Sequence, residues 1–379
     1  MKIRVLHLID HLGYGGAPFV VKNLVERMPA DQVDCCVYAL RPNPRALPVK
    51  ATVVTLQAGK YSLAAVGAIA SLCRERGIDI VHAHLQKAVI SSLLARPRFA
   101  GSLILHEHGP IFRGGTGCVY RWFLRRFGSR ADAILANSQA AAAAMRHAMG
   151  GSQVPLRVVP NFIDMERFDP ERFDRNAVRE SLGLTKEQFA VGFVGRLDRA
   201  KGADLFVDAA ARLPREDRSW RCYLVGEGPE KSSLAGRVRR LGLEGTVVLA
   251  GLHENPAAVL RAFDAVVIPS RREAFGIAAL EAMRMRVPVI ASSVGGLPEL
   301  VRDGETGILL PRLDAESIAR AIRGLAGDER LREKLSRRAF ELASQFDGDQ
   351  AVRQVVEVYQ RLMASKKRVQ DAQERVHGA

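Results

Sequence analysis

Short apolar runs rich in β-branched residues alternate with longer Ala- and Leu-rich stretches along nearly the whole chain. Such continuous runs are typical of strands buried on both faces, and their alternation with helical stretches indicates βαβ units. The pattern predicts an α/β protein with parallel sheets. Strands are predicted at Ile3–Ile9, Val33–Leu40, Thr52–Leu56, Ile80–His84, Ser102–His106, Ala133–Ala136, Arg157–Val159, Ala190–Val194, Arg221–Val225, Val247–Ala250, Ala265–Ile268, Val287–Ala291 and Gly307–Leu310.

The same alternation runs twice along the chain, which predicts two doubly wound domains. A length of 379 residues agrees with this, because an ordinary domain has roughly 100–200 residues. The polar stretch 164–186 is predicted to be the linker, and we place the domains at residues 1–165 and 166–349. Open parallel sheets bind ligands beyond the carboxyl ends of their strands, so motifs that follow strands are the candidates for function.

Several helix boundaries are marked by capping residues. Ser138 is predicted to cap a helix over Gln139–Met149, which Gly150-Gly151 then ends. The last amphipathic helix is predicted at Ala351–Met363, with a frayed polar tail from Ser365.

The composition is that of an ordinary globular protein, with 47% hydrophobic and 26% charged residues. No apolar run reaches the roughly 18 residues that a membrane-spanning helix needs. We interpret the first apolar run as a strand and not as a signal peptide, because Asp10 and His11 end it too early. The five cysteines show neither CxxC nor zinc spacing, which predicts free thiols and a cytoplasmic protein.

The chain is strongly basic, with a net charge of +15 from 56 basic and 41 acidic residues. Nucleic acid, an anionic membrane surface or an anionic small substrate would each suit such a surface, and so would a basic surface without a partner. The segment Tyr120–Phe127 mixes aromatic residues and arginines at helical spacing. This stripe indicates either a core-facing helix or a helix that rests on anionic lipid.

The most distinctive motif is EAFGIAALE (Glu273–Glu281), which follows a predicted strand. We predict a helix over Phe275–Met283. Gly276 allows close backbone approach, and the amides of Ala274, Phe275 and Gly276 would face an anion.

The spacing of the two glutamates of this motif limits their chemistry. Glu273 and Glu281 lie eight residues apart, which at the helical rise corresponds to about 12 Å. The carboxylates of a glycosidase lie roughly 5–9.5 Å apart, so this pair does not suit the two sides of one bond. It suits opposite ends of an elongated ligand with a phosphate between them, and a pair of surface glutamates is the alternative.

A second motif, GRLDRAKG (Gly195–Gly202), directly follows a predicted strand. Arg196 and Lys201 are two cations that suit a diphosphate, and they would stabilise a leaving group that gains negative charge. A solvated cluster of charges is the alternative.

The first strand leads into a glycine-rich stretch, Gly13–Ala17, and then into a helix predicted at Phe19–Met28. This stretch is either a phosphate loop or a plain turn. It is not GxGxxG, because Pro18 occupies the last position, and the second strand ends at Arg41 where NAD-binding proteins carry an acid. NAD binding is therefore poorly supported.

Two histidine pairs lie near strand ends. His106 and His108 are predicted to share one side of their strand. They form either a metal pair, for which no third ligand is evident at a helpful spacing, or a pair of hydrogen-bonded histidines. For His82 and His84 we favour the hydrogen-bonded interpretation.

Together these motifs resemble glycosyltransferase family 4, a large set of retaining enzymes with the GT-B architecture. The resemblance covers nearly the whole chain, and EAFGIAALE is its most specific part. The other motifs also occur in family order, namely Gly195-Arg196 with Lys201-Gly202, the Gly-Gly-Ala near the start, VPNFID (Val159–Asp164) and IPS (Ile268–Ser270).

The resemblance implies roles in the second half of the chain. Glu281 would bind the ribose hydroxyls of a nucleotide-sugar donor, and Arg196 and Lys201 would clamp its diphosphate. Glu273, with the backbone around Ala274–Gly276, would hold the donor sugar.

The resemblance also implies roles in the first half. His108 would lie near the reacting sugar and the acceptor, and Gly15 and Gly16 would approach the donor phosphates. The implied architecture is GT-B, with two Rossmann-like domains facing a central cleft and a final helix over 350–379 that returns to the first domain.

The family usually needs no metal, so no metal and no other cofactor is expected. Asp347-Gly-Asp349 has the DxD pattern of metal-dependent glycosyltransferases, but we interpret it as the start of the last helix because no strand precedes it.

The function implied by the resemblance is transfer of a sugar, with retention, from a nucleotide-diphosphate sugar (UDP-sugar favoured) to an acceptor hydroxyl. Its expected setting is the assembly of cell-surface polysaccharide, lipopolysaccharide or glycolipid, with a lipid-linked or saccharide acceptor. The first domain would bind the acceptor and the second the donor. The expected location is the cytoplasm, with peripheral contact to the anionic inner face of the membrane.

A GT-B isomerase or phosphorylase is one alternative. A nucleic-acid-binding protein is another, although no RNP-like or helix-turn-helix element supports it.

Overall fold

Two parallel β-sheets organise the chain, one in each of the units into which it divides. The computed structural model describes residues 2–13, 15–56, 63–109, 116–214, 220–253 and 255–377. The first unit consists of residues 1–162 and 348–379, and the second of residues 163–347. Each boundary lies a few residues before the predicted one. The predicted fold class, two Rossmann-like α/β domains with parallel sheets, is confirmed.

The strands of the first unit are β1 (Ile3–Ile9), β2 (Val33–Ala39), β3 (Thr52–Thr55), β4 (Ile80–His84), β5 (Ser102–Glu107), β6 (Ala133–Ala136) and β7 (Leu156–Val158). Its helices before the second unit are α1 (Gly16–Glu26), α2 (Leu63–Glu75), α3 (Gln86–Ala95), α4 (Thr116–Phe127) and α5 (Gln139–Ala148). The strand order is β3-β2-β1-β4-β5-β6-β7. This order reverses between β1 and β4, which is where ligands bind in such sheets.

The strands of the second unit are β8 (Phe189–Val194), β9 (Trp220–Val225), β10 (Val247–Gly251), β11 (Ala265–Ile268), β12 (Val289–Ser292) and β13 (Ile308–Leu310). Its helices are α6 (Arg175–Ser181), α7 (Ala203–Ala210), α8 (Lys231–Arg240), α9 (Pro256–Ala262), α10 (Ile277–Arg284), α11 (Leu297–Leu300), α12 (Ala315–Gly327) and α13 (Glu329–Ala343). The strand order is β10-β9-β8-β11-β12-β13, which reverses between β8 and β11.

The strands are buried apolar runs, as predicted. Leu6 and Leu8 on β1 pack into one core, while Ile9 on the same strand packs into another. All three side chains are fully buried. Burial on both faces explains why the sequence runs are continuous and do not alternate with polar residues.

The helix boundaries follow from capping residues. Ser138 Oγ accepts a hydrogen bond from the Ala141 backbone N–H at 2.9 Å, which confirms Ser138 as the N-cap of α5. The predicted start of β12 at Val287 is wrong, and the strand begins at Val289. The Val287 N–H is already donated to the Ala282 carbonyl at the end of α10, and Pro288 has no N–H to add to the sheet.

The segment predicted as a linker, 164–186, is an ordered part of the second unit. It forms a 3₁₀ turn at Pro170–Arg172 and the helix α6. Arg179 on α6 is 6% exposed, and it donates to the Asp264 carboxylate at 3.1 Å and to three backbone carbonyls. A buried guanidinium therefore fixes this segment to the sheet, so the prediction of a simple connection is wrong.

The last helix, α14 (Gly348–His377), belongs to the first unit. Tyr359 on this helix lies with its hydroxyl 2.7 Å from His82 Nδ1 on β4, and Glu357 pairs with Arg157 at 2.8 Å. The side chain of Tyr359 is fully buried. The helix thus covers one face of the first sheet.

The predicted end of the last helix at Met363 and the predicted frayed tail from Ser365 are wrong. The backbone remains helical to His377. Neither glycine nor proline interrupts the sequence between Gly348 and Gly378, so nothing in the chain ends the helix earlier.

Replacing Asp264 with alanine is expected to destabilise the second unit by about 3–5 kcal/mol, because it leaves the buried Arg179 without its counter-ion. In a Trp122→Phe background, Trp220 is the one tryptophan left and reports the urea unfolding of the second unit. The control is Glu329→Ala, which removes a carboxylate that is 79% exposed and should cost less than about 0.5 kcal/mol. A loss below about 1 kcal/mol for Asp264→Ala would contradict the assigned role.

Candidate functional site

The candidate cations and acid of the second unit lie on two neighbouring strand ends. Arg196 and Lys201 follow β8, and Glu273 follows β11. The strands β8 and β11 pair with each other at the reversal of the strand order. Their loops therefore emerge side by side at the carboxyl edge of the sheet, which is the predicted place for a ligand.

An ion pair joins these two loops. Lys201 Nζ lies 2.6 Å from Glu273 Oε2, and 33% and 14% of the two side chains are exposed. The other carboxylate oxygen, Oε1, accepts a hydrogen bond from the Ala274 N–H at 3.2 Å, and Ser270 Oγ donates to Oε2 at 3.5 Å. Glu273 is therefore held in one orientation, while Lys201 keeps part of its surface open to a ligand.

A second ion pair supports the same loops, and sequence analysis did not single it out. Arg271 donates two hydrogen bonds of 2.7 Å to the Asp204 carboxylate. The Arg271 backbone N–H also donates to the Ala200 carbonyl at 2.7 Å. Desolvation disfavours the ionised Asp204, but the hydrogen bonds and charge of Arg271 outweigh it and lower the pKa of Asp204. This pair positions the loop that carries Lys201.

Arg196 is the most open of these charged residues. Its side chain is 70% exposed, and its Nε lies 2.7 Å from Asp198 Oδ2. Asp198 also accepts a hydrogen bond from the Lys201 backbone N–H at 3.1 Å. Asp198 thus connects the two cationic residues, and the motif GRLDRAKG contains it without marking it as special.

Two glycines let the backbone approach closely around this site. Gly202 has a φ of +75°, and a Cβ there would lie 2.0 Å from the Pro269 carbonyl oxygen. Gly276 has a φ of +106°, and its Cβ would lie 2.6 Å from Leu297 Cδ2. Any side chain at either position would meet both backbone strain and a collision.

Helix α10 begins without a side-chain cap. It starts at Ile277 and not at the predicted Phe275, because Gly276 adopts the left-handed conformation and serves as the N-cap. No acidic residue occupies the first turn. The side chains of Ala274 and Phe275 are buried, so this segment presents its backbone to a ligand. A helix start of this kind favours an anion.

Glu281 lies on α10 and is a partly buried carboxyl group. Desolvation raises the pKa of Glu281 to about 7, and the charge of Arg167 opposes this shift. Among the described residues, no hydrogen bond or ion pair engages its carboxylate. A partly buried carboxyl group with a raised pKa is typical of a ligand site.

In the first unit, Gly15 and Gly16 stand exposed at the start of α1. The helix begins at Gly16 and not at the predicted Phe19, because Pro18 fits the first helical turn where its missing N–H is not needed. A Cβ at Gly15 would meet nothing closer than 3.6 Å, so the fold itself does not require glycine there. The first turn also lacks an acid, which leaves the helix start suited to an anion.

His108 follows β5 and is 8% exposed. Its Nε2 lies 2.9 Å from His84 Nδ1. Its Nδ1 is buried and has no hydrogen-bond partner among the described residues. Burial lowers the pKa of His108 to about 4, and the nearby Asn161 side chain opposes this shift. The ring is therefore neutral at physiological pH.

Glu107 precedes His108 and uses both carboxylate oxygens within the unit. It accepts hydrogen bonds of 2.9 Å from the Gly109 N–H and from the Tyr120 hydroxyl. Burial raises the pKa of Glu107 to about 7, and these two hydrogen bonds oppose the shift. Glu107 and Tyr120 thus support the strand end that carries His108.

Five buried histidines meet beside this strand end, and we call them the histidine cluster. Its members are His7 on β1, His82 and His84 on β4, and His106 and His108 at β5. The prediction that His106 and His108 share a side is confirmed, since their ring centroids lie 4.0 Å apart. Sequence analysis missed His7, which stands within an apolar run and reaches the cluster through the pairing of β1 with β4.

The aromatic and arginine stripe of helix α4 has one buried side and one exposed side. Tyr120 is buried, whereas Val119 and Trp122 are 55% and 56% exposed. Arg125 and Arg126 are exposed on the same helix. One side of α4 is therefore core, and the other is a basic and apolar surface. No helix in the described ranges combines the length and apolarity needed to cross a bilayer.

The DxD-like residues make structural contacts. Asp349 lies in the first turn of α14 and pairs with Arg27 at 3.2 Å within the first unit. The backbone of Asp347 forms a parallel bridge with Ile163 in the second unit. The Asp349 carboxylate is thus engaged in an ion pair within the first unit.

Comparison with known proteins decides the family. The family models for glycosyltransferase family 4 and for glycosyl transferases group 1 match residues 14–167 and 174–342. The lipopolysaccharide core biosynthesis mannosyltransferase LpsB of Rhizobium meliloti is 34% identical over 242 residues, which cover 62% of this chain and 67% of LpsB. The chain belongs to glycosyltransferase family 4. The motifs quoted from the sequence therefore stand in a family of transferases.

Two further comparisons concern the length and the fold of this family 4 chain. The D-inositol 3-phosphate glycosyltransferase of Actinosynnema mirum is 36% identical over 242 residues, which cover 61% of this chain and 58% of that protein. The chain thus spans less than two thirds of that relative. The crystal structure of Anabaena HepE in complex with UDP-glucose matches 95% of this chain and 100% of HepE, with 26% identity and a TM-score of 0.81. The fold is that of the GT-B glycosyltransferases.

Replacing Glu281 with glutamine is expected to stabilise the second unit by about 1–3 kcal/mol near pH 8 and by less near pH 5. The pKa of Glu281 is about 7 in the fold, well above the ordinary value of a glutamate side chain, 4.5. Ionisation therefore destabilises the fold progressively as the pH rises through this window, and glutamine removes that penalty. Urea unfolding at both pH values measures the effect. The exposed Glu244→Gln serves as control, and equal effects of Glu281→Gln at the two pH values would refute the desolvated carboxylate.

Proposed function

We propose that this chain transfers a sugar with retention from a nucleotide-diphosphate sugar, with UDP-sugar favoured, to an acceptor hydroxyl. The observation that carries the proposal is the Lys201–Glu273 ion pair at the carboxyl edge of the second sheet, on the loop that leads into the uncapped start of α10. The similarity to HepE, which has been crystallised with UDP-glucose, supports a uridine nucleotide.

In this proposal Glu281 binds the ribose of the donor. A carboxylate can accept hydrogen bonds from both hydroxyls of a ribose diol. Glu281 is partly buried and makes no hydrogen bond among the described residues, so its carboxylate oxygens are open to the ribose hydroxyls.

Arg196, Lys201 and the start of α10 would then hold the diphosphate. Negative charge grows on the diphosphate as the glycosidic bond breaks, so fixed cations stabilise the transition state more than the ground state. Lys201 is poised for this role because it can exchange a contact with Glu273 for one with phosphate. Glu273 would then accept hydrogen bonds from the sugar hydroxyls, together with the backbone of Ala274, Phe275 and Gly276.

The proposed reaction breaks the bond between the anomeric carbon and the diphosphate oxygen. A bond from the anomeric carbon to the acceptor oxygen forms on the same face, and the acceptor proton leaves with the released diphosphate. His108 would contact the sugar or acceptor as a neutral imidazole, because burial keeps its pKa at about 4. Gly15 and Gly16 would offer backbone amides to the donor phosphates at the start of α1.

We propose further that the transfer needs no metal or other cofactor. Two cationic side chains and a helix start supply the positive charge that a divalent ion would bring to a diphosphate. The DxD-like motif supports this proposal, because the Asp349 carboxylate pairs with Arg27.

We propose that the first unit binds the acceptor and the second binds the donor. LpsB is named for lipopolysaccharide core biosynthesis, which supports a role in assembling lipopolysaccharide or another cell-surface polysaccharide or glycolipid. A lipid-linked or saccharide acceptor at the inner face of the cytoplasmic membrane fits the exposed basic and apolar side of α4.

Arg196→Ala and Lys201→Ala are each expected to lower kcat by about 10²–10³, because each removes charge stabilisation of the leaving diphosphate. Transfer from radiolabelled UDP-sugars to acceptor glycans measures the loss, and NMR of the product establishes the anomeric configuration. The exposed Lys334→Ala is the matched control. If the variant that combines Arg196→Ala and Lys201→Ala keeps activity within about tenfold of wild type, the proposed role of the two cations is wrong. Conversion of the donor without an acceptor would favour an isomerase or phosphorylase.

Trp122→Ala combined with Arg125→Gln and Arg126→Gln is expected to weaken binding to anionic vesicles. Each basic residue contributes about 1 kcal/mol near such a surface, so the loss should exceed about tenfold and should shrink in high salt. Co-sedimentation with phosphatidylglycerol and phosphatidylcholine vesicles measures it. Leu252→Ala, which removes a side chain 50% exposed in the second unit, is the control. Equal binding to neutral and anionic vesicles would argue against the membrane role.

A further inference from the structure

Two hydrogen-bonded series run through the histidine cluster, and the proposed transfer reaction uses only the end of one of them. The first series begins at Cys35, whose Sγ lies 3.6 Å from His7 Nε2. His7 Nδ1 lies 3.1 Å from His84 Nε2, and His84 Nδ1 lies 2.9 Å from His108 Nε2. The last nitrogen of this series, His108 Nδ1, is buried without a hydrogen-bond partner among the described residues.

The second series begins at Tyr359, whose hydroxyl lies 2.7 Å from His82 Nδ1. His82 Nε2 lies 3.1 Å from His106 Nδ1. His106 Nε2 is then buried with no partner in the part of the chain that the structure describes. Each series therefore ends in a buried ring nitrogen without a partner among the described residues. Such an atom costs free energy of folding unless a ligand or water binds it.

We propose that His84, His106 and His108 form a binding site for a divalent transition-metal ion of the zinc class. One ring nitrogen from each of the three lies within 4.8 Å of the others. Two nitrogens bound at about 2.0–2.1 Å to a tetrahedral ion lie roughly 3.3–3.4 Å apart. His84 Nδ1 and His108 Nε2 are already 2.9 Å apart, so a movement of a few tenths of an ångström admits an ion between them.

The neighbouring triad of His7, His82 and His84 is the weaker site. Both nitrogens of His7 and both nitrogens of His82 already have partners. An ion there would have to break contacts of both His7 and His82, whereas in the proposed triad it breaks the one between His84 and His108. In the proposed triad, by contrast, His106 offers a nitrogen that has no other use.

The remaining histidines complete the site as outer partners. Ligating histidines usually donate their second ring N–H to a neighbour, which fixes the ring and its tautomer. Here His106 Nδ1–H would donate to His82 Nε2, and His82 Nδ1–H would donate to Tyr359. His84 Nε2–H would likewise donate to His7. Every ring stays neutral in this arrangement. Binding breaks the hydrogen bond between His84 Nδ1 and His108 Nε2 and moves the His108 proton to its Nδ1, but it releases no proton.

The chemistry of the donors selects the ion. Three imidazoles without a carboxylate suit zinc, cobalt, nickel or copper, whereas magnesium and calcium require oxygen ligands. The fourth position would be open to water or a ligand hydroxyl. His108 is the least buried member of the cluster, at 8% exposure, so an ion reaches the triad from its side.

Occupation of the site would withdraw His108 from sugar or acceptor. Zinc is therefore expected to inhibit the transferase reaction, and this consequence alone rests on the proposed function. Binding of the ion does not depend on it.

Cobalt is the direct probe, because its visible absorption reports tetrahedral coordination by nitrogen. Chelator-treated protein titrated with Co²⁺ is expected to bind one ion per chain with a tetrahedral band, and Zn²⁺ should displace it. His106→Gln and His108→Gln should each weaken binding by at least about tenfold. His147→Gln, an exposed histidine on α5 of the same unit, should bind as wild type does.

Thermal unfolding by circular dichroism confirms that each variant is folded, and Zn²⁺ should raise the Tm of wild type in proportion to its binding. His108→Gln is the milder variant, since its amide can still contact His84. Absence of the band in folded wild-type protein overturns the proposal, as does an undiminished band in a folded His106 or His108 variant. Cobalt binding in a protein that transfers no sugar would support this site and refute the proposed function, so the two failures are distinguishable.

Discussion

The ion pair between Lys201 and Glu273 joins the loops after β8 and β11, and the candidate site of the second unit depends on it. These loops lie side by side because their strands pair where the strand order reverses. The contact places a cation at the edge of the sheet and fixes the acid that leads into α10. Asp198 and the Arg271–Asp204 pair then restrain the remaining charges. A diphosphate is a ligand that such a preformed cationic edge suits, since little reorganisation is needed to receive it.

The buried ionisable groups of the two units have different hydrogen-bonding surroundings. In the second unit Glu281 is desolvated without a hydrogen bond among the described residues, so its protonation depends on whether a ligand is bound. In the first unit burial lowers the pKa values of the clustered histidines, and neutral rings then bond to one another. The first arrangement suits recognition of hydroxyls, and the second suits recognition of a metal ion. In both, burial disfavours the charged form of the group.

The strands and their alternation with helices could be predicted because each is a local property of the sequence. Ile3–Ile9 and Ile80–His84 are continuous apolar runs, and Ser138 is a residue type that commonly caps the start of a helix. Partnerships between distant residues could not be predicted in this way. Arg179 and Asp264 are far apart in sequence, and no local pattern marks a segment as ordered by such a pair.

In the candidate site, too, the local motifs could be predicted and the contacts between distant residues could not. The motifs marked Arg196, Lys201, Glu273 and Glu281 as residues after strands or on a helix start. The ion pair between Lys201 and Glu273, and the desolvation of Glu281, arise from packing and appear only in the structure. Sequence analysis found no third ligand for a metal because His84 and His7 come from other strands, which the sheet brings beside His106 and His108.

Thermal unfolding with UDP, GDP, ADP and their common sugar conjugates in EDTA, on wild type and on Glu281→Ala, tests the central claim most directly. A ligand at 100 times its Kd adds about 2.7 kcal/mol of stability, which raises the Tm by several degrees in a domain of this size. The account predicts that one nucleotide series, the uridine series, stabilises wild type without metal and leaves the variant unchanged. Absence of any shift in wild type, or an equal shift in Glu281→Ala, would contradict the account.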